Sequence, residues 1–288
     1  MAKKKEKTFA ARCRYILYLL KRNPLSIIGI AILFVLILSA IFAPWLTDWD
    51  PTVSNIADQL KPPSSEHPFG TDNTGKDIFS RVLYGGRFDL IIAFGSVLVS
   101  LLLGLPLGAW LGYTGGWQDE FIMRILDAVQ AFPSFVLAMI ILYTVGPNLL
   151  SLILVIGFVN FPSFTRLVRA EMLSRKESQY VEAAQCLGYP KSRVIFKHLL
   201  PNCLSPVINQ AALTAGWSIL TTAGLGFIGL GIAIPNPEWG AMISEGSKFV
   251  LSGRWWISFF PGIAIALTVL AFNLIGDAVD DILDPKRR

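Results

Sequence analysis

Between Asp127 and Arg166 the chain contains no Asp, Glu, Lys or Arg. A helix needs about 20 apolar residues to cross a bilayer's hydrocarbon core. The stretch is too long for one crossing and fits two, with Gly146-Pro147-Asn148 supplying the turn between them. Charge-free windows of similar size recur at roughly 24–45, 90–113, 207–232 and 255–276. The pattern predicts an all-α, polytopic membrane protein with six transmembrane helices. Composition agrees, because only 16% of residues are charged, against about a quarter in soluble domains.

Lys and Arg in short loops resist translocation, so their distribution sets orientation. Lys3, Lys4, Lys5, Lys7, Arg12, Arg14, Lys21 and Arg22 precede the first span. Arg166, Arg169, Arg175, Lys176, Lys191, Arg193 and Lys197 follow the fourth, and Lys286, Arg287 and Arg288 end the chain. With six crossings all three groups lie on one side, the cytoplasm, with both termini. The expected organisation is a cytoplasmic N-terminus and first span over 1–46, an extracytoplasmic loop over 47–87 and a core bundle of five spans over 88–288, whose long cytoplasmic loop covers about 165–206. Trp45, Trp49, Trp239, Trp255 and Trp256 are then expected near the outer interface. The N-terminus resembles a signal peptide, but its apolar run exceeds an h-region and no A-x-A site follows, so it reads as a retained span.

The net charge of +5 does not imply nucleic acid. The basic residues sit beside apolar runs and form no basic stripe with stacking aromatics. Cys13, Cys186 and Cys203 have neither metal-ligand nor disulfide spacing, and His67 and His198 fall on opposite sides of the membrane. No metal site and no catalytic residue is expected.

Gly104, Gly108, Gly112 and Gly116 recur every fourth position and predict close helix packing. Pro106 and Pro133 are expected to kink their spans. The tetrapeptide FPSF occurs at Phe132–Phe135 and Phe161–Phe164, but the flanks do not extend the match, and it reads as coincidence. Residues 70–77, GTDNTGKD, approach the P-loop pattern and fail at Asp77, where magnesium binding needs a hydroxyl. A structured outer loop fits better. Gly224–Gly229 matches G-x-G-x-x-G inside a span and outside any βαβ unit, which points to helix packing.

The spans hold no ionisable residue near their centres, whereas ion-coupled transporters keep one there. Asp89, Asp127 and Asp277 lie at span boundaries, within expected reach of headgroups or water. Energy for transport would then enter from elsewhere. Ser174-Arg175-Lys176-Glu177 fits a capping box and Gly188 a helix stop, which predicts a short helix from about Arg175 to Leu187. Tyr180, Ala183, Ala184 and Leu187 share one shallow face. That face suits either a groove on another protein or the membrane surface.

Residues 180–202, YVEAAQCLGYPKSRVIFKHLLPN, resemble the EAA signature of binding-protein-dependent ABC importer permeases. HPFGTDNTGKDIFSRVLYGGR, RILDAVQAFPSFVLA, FPSFTRLVRAEML and GLGFIGLGIAIPNPEWGAMISEG are similar to the C-type subunit of the dipeptide, oligopeptide and nickel permeases, with Lys76 where that group more often has arginine. The resemblance implies a type I ABC importer permease fold in the inner membrane, with Tyr180, Glu182, Ala183, Ala184, Leu187, Gly188 and Pro201 in the segment that docks on an ATPase. It also implies a second related permease, two ATPase subunits and an extracytoplasmic binding protein. ATP and magnesium would be held by those ATPases, and this chain would hold no cofactor. Peptide is the first expected substrate, with nickel chelates and glutathione as alternatives. An ion-coupled secondary transporter is the competing class. The spans offer no convergent polar groups from which to read a substrate site.

Overall fold

A computed structural model describes residues 24–283, with side chains to Asp280. The N-terminal basic cluster, Cys13, and Lys286, Arg287 and Arg288 lie outside the described residues. The described chain is mainly helical: α1 (Pro24–Ile41), α2 (Ile78–Thr114), α3 (Gly116–Gln130), α4 (Ser134–Val145), α5 (Leu149–Arg175), α6 (Gln179–Cys186), α7 (Leu204–Phe227), α8 (Trp239–Ser247) and α9 (Trp256–Leu283), with a long loop between α1 and α2 and shorter connections elsewhere. Four of these, α1, α2, α5 and α9, are long and apolar enough to cross a membrane, and the bent pair α3–α4 makes a fifth candidate. The fifth expected span, α7, has the length but carries Asn209, Gln210, Thr214, Ser218, Thr221 and Thr222, and it does not qualify on composition.

The turn at Gly146 falls where the sequence places it: Gly146 has φ +92° and Asn148 caps α5 in a reciprocal pair with Ser151. The kink expected at Pro133 is present and amounts to a full break: the chain divides at Ala131–Pro133 into α3 and α4, which meet at 84°, because Pro133 cannot donate the hydrogen bond that would continue α3. Pro106, by contrast, lies within the uninterrupted α2.

At about 1.5 Å per residue, α2 is roughly 55 Å long. It begins at Ile78, so the end of the expected 47–87 loop is already helical. Asp77, the residue that fails the phosphate motif, is the N-cap, accepting from the Ser80 amide at 2.7 Å and meeting His67 Nδ1 at 2.9 Å. The loop before it is tightly folded. Gly75 has φ +76°, and a Cβ there would stand 1.7 Å from the Asn55 carbonyl oxygen.

The main packing seam joins α2 to α5. A Cβ on Gly104, Gly108 or Gly112 would fall within 2.4–2.7 Å of α5 atoms, while Gly157 of α5 faces Val99 in return. The fourth glycine of the series does not belong to the seam: Gly116 starts α3 at φ +76° with nothing near its α-carbon substituent position. Three apolar clusters fill the bundle: one around Trp239 and Trp256 near the start of α2, one between α4 and α5, and one under α6. Trp239 and Trp256 are therefore core residues and not interfacial anchors. Trp45, at 79% exposure, is free to anchor.

Candidate functional site

The segment after α5 begins later than its capping-box pattern suggests. Ser174 Oγ donates back to the Glu171 carbonyl at 3.0 Å and Arg175 pairs with Glu171 one turn earlier, so both extend α5. Ser178 then turns the chain, donating to the Arg175 carbonyl at 2.6 Å, and α6 spans only Gln179–Cys186.

The stop is as the sequence implies. Gly188 adopts φ +72°, its amide donates to Gln185 O at 2.9 Å, and the Tyr189 amide donates to Ala184 O at 3.3 Å. These bonds satisfy carbonyls that the helix end leaves free.

The expected apolar face of α6 is divided. Tyr180 and Leu187 are 41% and 71% exposed, and Ala183 and Glu182 are exposed beside them. Ala184 is 4% exposed and turns inward with Val181 onto Val194, Ile195 and Leu199. A helix of eight residues is too short to persist alone, and this inward pair fixes it to the bundle. Gln185 adds a hydrogen bond to the Tyr113 hydroxyl, 3.0 Å away at the far end of α2. Behind it Tyr189 stacks on His198, and the Arg193 guanidinium lies over the Tyr189 ring, 4.2 Å from its centroid. Pro201 is exposed in the tight turn Leu200–Cys203 that leads into α7.

Burial pushes the Cys203 thiol up to about 11, leaving it an inert core group. What the geometry supplies is mechanical: a rigid exposed knob fastened to α2, α5 and the start of α7.

At the opposite end of α2 lies a buried acidic centre that the sequence reading missed. Asp89 does not reach headgroups or water. It is 1% exposed and accepts the Trp239 amide at 3.1 Å, while Trp239 Nε1 donates to Val82 O at 2.9 Å. Glu238, wholly buried, caps α8 by accepting from the Gly240 and Ala241 amides. Burial raises its carboxyl to about 7. Gly226 of the G-x-G-x-x-G run and Gly231 just beyond it make room for it, since a Cβ on Gly226 would stand 1.9 Å from Glu238 Oε2 and one on Gly231 2.5 Å. The signal was present in the pairing of that glycine run with Pro237-Glu238-Trp239-Gly240, a run with few other reasons to be glycine-rich. The spans also bring polar side chains together, because both FPSF segments line a single cleft beside Gln130 and Asn160.

The family profile described as "Binding-protein-dependent transport system inner membrane component" matches residues 104–288, and the "N-terminal TM domain of oligopeptide transport permease C" matches residues 13–63. The chain is 46% identical over 269 residues to the dipeptide transport system permease protein DppC of Alkalihalophilus pseudofirmus, covering 93% of this chain and 88% of the relative. It is 42% identical to the probable D,D-dipeptide transport system permease protein DdpC of Escherichia coli, with coverage of 94% and 91%. It is 37% identical to the oligopeptide transport system permease protein OppC of Bacillus subtilis, with coverage of 93% and 88%. Among solved structures, a chain of the inward-facing MetNI methionine ABC transporter superposes with a TM-score of 0.57 at 20% identity, covering 71% of this chain and 97% of that one, a likeness of fold.

Proposed function

The chain belongs to the family of binding-protein-dependent transport system inner membrane components, and on that premise we propose that it forms half of a peptide import pathway whose motion is driven through α6. As a permease subunit of an ABC importer it moves substrate and leaves nucleotide chemistry to other chains. Di- and oligopeptides are its cargo in this reading, supported by the names of the relatives with 46% and 37% identity. Its partners are a second related permease, two ATPase subunits holding ATP and magnesium, and an extracytoplasmic binding protein. The termini and α6 face the cytoplasm, as the Lys and Arg distribution favours.

The observation that carries the coupling role is the division of α6. Its inner pair, Val181 and Ala184, is locked into the bundle, while Tyr180, Ala183 and Leu187 are presented outward with Glu182. A push on the outer face reaches α2 through Gln185 and Tyr113, and reaches α7 through the turns from Lys191 to Cys203. Gly188 sets where the helix ends, and Pro201 sets the turn into α7.

The test is uptake of radiolabelled dipeptide by proteoliposomes holding the complete importer. ATP-dependent uptake that survives collapse of ion gradients by ionophores supports the proposal. Uptake that follows the ion gradient and ignores ATP would assign the chain to secondary transport instead.

A further inference from the structure

Both FPSF segments meet at one place. The break between α3 and α4 contributes Phe132, Pro133 and Ser134, and α5 contributes Asn160, Ser163 and Arg166, around a cleft of about 480 Å³. That volume lies within the range of roughly 300–1,000 Å³ typical of small-molecule sites. A smaller hollow shares Ser134 and Asn160 and continues the polar track to Thr221 of α7.

Three physical features say what occupies it. First, non-helical backbone at membrane depth is tolerated only where protein buries it or a watery cavity bathes it. The α3–α4 break leaves Phe132, Pro133 and Ser134 exposed within the charge-free stretch between Asp127 and Arg166. Polar side chains along a spanning helix likewise avoid hydrocarbon. On α5 the exposed positions Leu150, Leu154 and Phe158 suit lipid, whereas Asn160 and Ser163 point into the cleft.

Second, the cleft is polar without being charged. Arg166, its one ionic side chain, is paired with Asp127. A site with no uncompensated charge suits a neutral hydrogen-bonding ligand better than a free ion.

Third, hydrogen-bonding capacity is left over. One end of the Gln130 carboxamide engages Ser163 Oγ at 3.1 Å, and the other end is buried without a partner. Asn160 Nδ2 is committed to the Ile156 carbonyl at 2.9 Å, which leaves its oxygen to accept. Carbonyl acceptors beside apolar walls complement the amide hydrogens of an extended peptide main chain.

We propose that this cleft is an aqueous subsite of the translocation pathway that takes the main chain of an extended peptide, with the Gln130 and Asn160 carboxamides and the Ser134 and Ser163 hydroxyls as its hydrogen-bonding groups. Contact with main chain and not side chains lets one cleft serve peptides of many sequences. The inference rests on the peptide-import reading above.

The experiment uses the complete importer in proteoliposomes, with Cys13, Cys186 and Cys203 replaced and single cysteines introduced by Ser163→Cys, Asn160→Cys and, as a lipid-facing control, Leu154→Cys. The membrane-impermeant cation 2-(trimethylammonium)ethyl methanethiosulfonate is added on both sides, and modification and uptake of radiolabelled tri-alanine are followed. Ser163→Cys and Asn160→Cys should react about tenfold or more faster than Leu154→Cys, and modification should block uptake. Gln130→Leu and Asn160→Leu should assemble and lower tri-alanine uptake by about threefold to tenfold, the range set by loss of one hydrogen bond. Cysteines at 160 and 163 as inert as the one at 154 would mean that the partner permease seals the cleft, and the proposal would fall. It would equally fall if both leucine variants import at the parental rate. Failure of the parent to import any peptide tested would count against the peptide reading, while the thiol reactivities would still decide whether the cleft is aqueous.

Discussion

Replacing Gly108 with alanine tests the seam that holds α2 against α5. The added methyl would stand 2.4 Å from the Thr165 carbonyl oxygen and 2.9 Å from Val168 Cβ, where ordinary carbon contacts lie at about 3.5–4.0 Å. The backbone oxygen cannot swing away as a side chain would, so the two helices must part by about 1 Å. A gap of that size forfeits about a quarter to a half of each local dispersion contact, and overpacking of this kind costs about 1–3 kcal/mol. Alanine returns up to about 1 kcal/mol of helix propensity, which leaves a net loss of about 1–2 kcal/mol. For a protein of this size that corresponds to a midpoint lowered by about 2–8 °C. The control is Gly262→Ala in α9, where a Cβ meets nothing within 4 Å; it should be neutral or slightly stabilising. Heating the detergent-purified complex and following its monodisperse peak by fluorescence-detected gel filtration gives the midpoints. If Gly108→Ala melts with the parent and Gly262→Ala does not separate from it, the seam does not limit stability and this reasoning fails.

Gly188→Val should impair uptake without blocking membrane insertion, because φ +72° is strained for a β-branched residue although the surrounding space is open; Gly188→Asn, which tolerates that conformation, should retain most activity. Stability of the buried Glu238 centre should fall as pH rises from about 4.5 to about 7. Across that window the folded chain still holds the proton that the unfolded chain has released. Thermal midpoints measured against pH should decline over this window for the parent and be flatter for Glu238→Gln, whose carboxamide does not titrate. For orientation, cysteines introduced by Ser64→Cys and Ser247→Cys in a cysteine-free chain should react with an impermeant thiol reagent from outside intact cells whose outer barrier is open. Ser192→Cys should not, and its labelling would reverse the assigned topology.

Much of the architecture is written in local signals. The charge gap from Asp127 to Arg166, the Gly146 turn, the glycine repeat of α2 and the Gly188 stop each depend on neighbours in sequence, and the structure reproduces them. What escaped depends on residues brought together from afar. Asp89 looks like a boundary residue until Trp239, 150 positions later, closes over it. Within the Gly224–Gly229 run Gly224 packs helix against helix at Phe135, as read, whereas Gly226 makes room for Glu238, which only the fold brings there. The two FPSF segments share no flanking similarity, and only the 84° break at Pro133 sets one against the other. On α6, helical spacing groups Ala184 with Tyr180 and Leu187, and only the cluster with Val194, Ile195 and Leu199 shows that Ala184 points inward.

That last distinction selects the variant with which to test the coupling role. Ala184→Arg would force a charge into the bundle and confound folding with coupling, whereas Ala183 is exposed and can accept a long side chain without internal clash. The decisive measurement is tri-alanine uptake together with ATPase stimulation by loaded binding protein, made on the reconstituted importer carrying Ala183→Arg. The account predicts a chain that inserts and melts like the parent, with uptake reduced about tenfold or more and stimulation lost with it. Parental uptake and parental stimulation together would contradict the claim that ATP-driven motion enters this subunit through the outer face of α6.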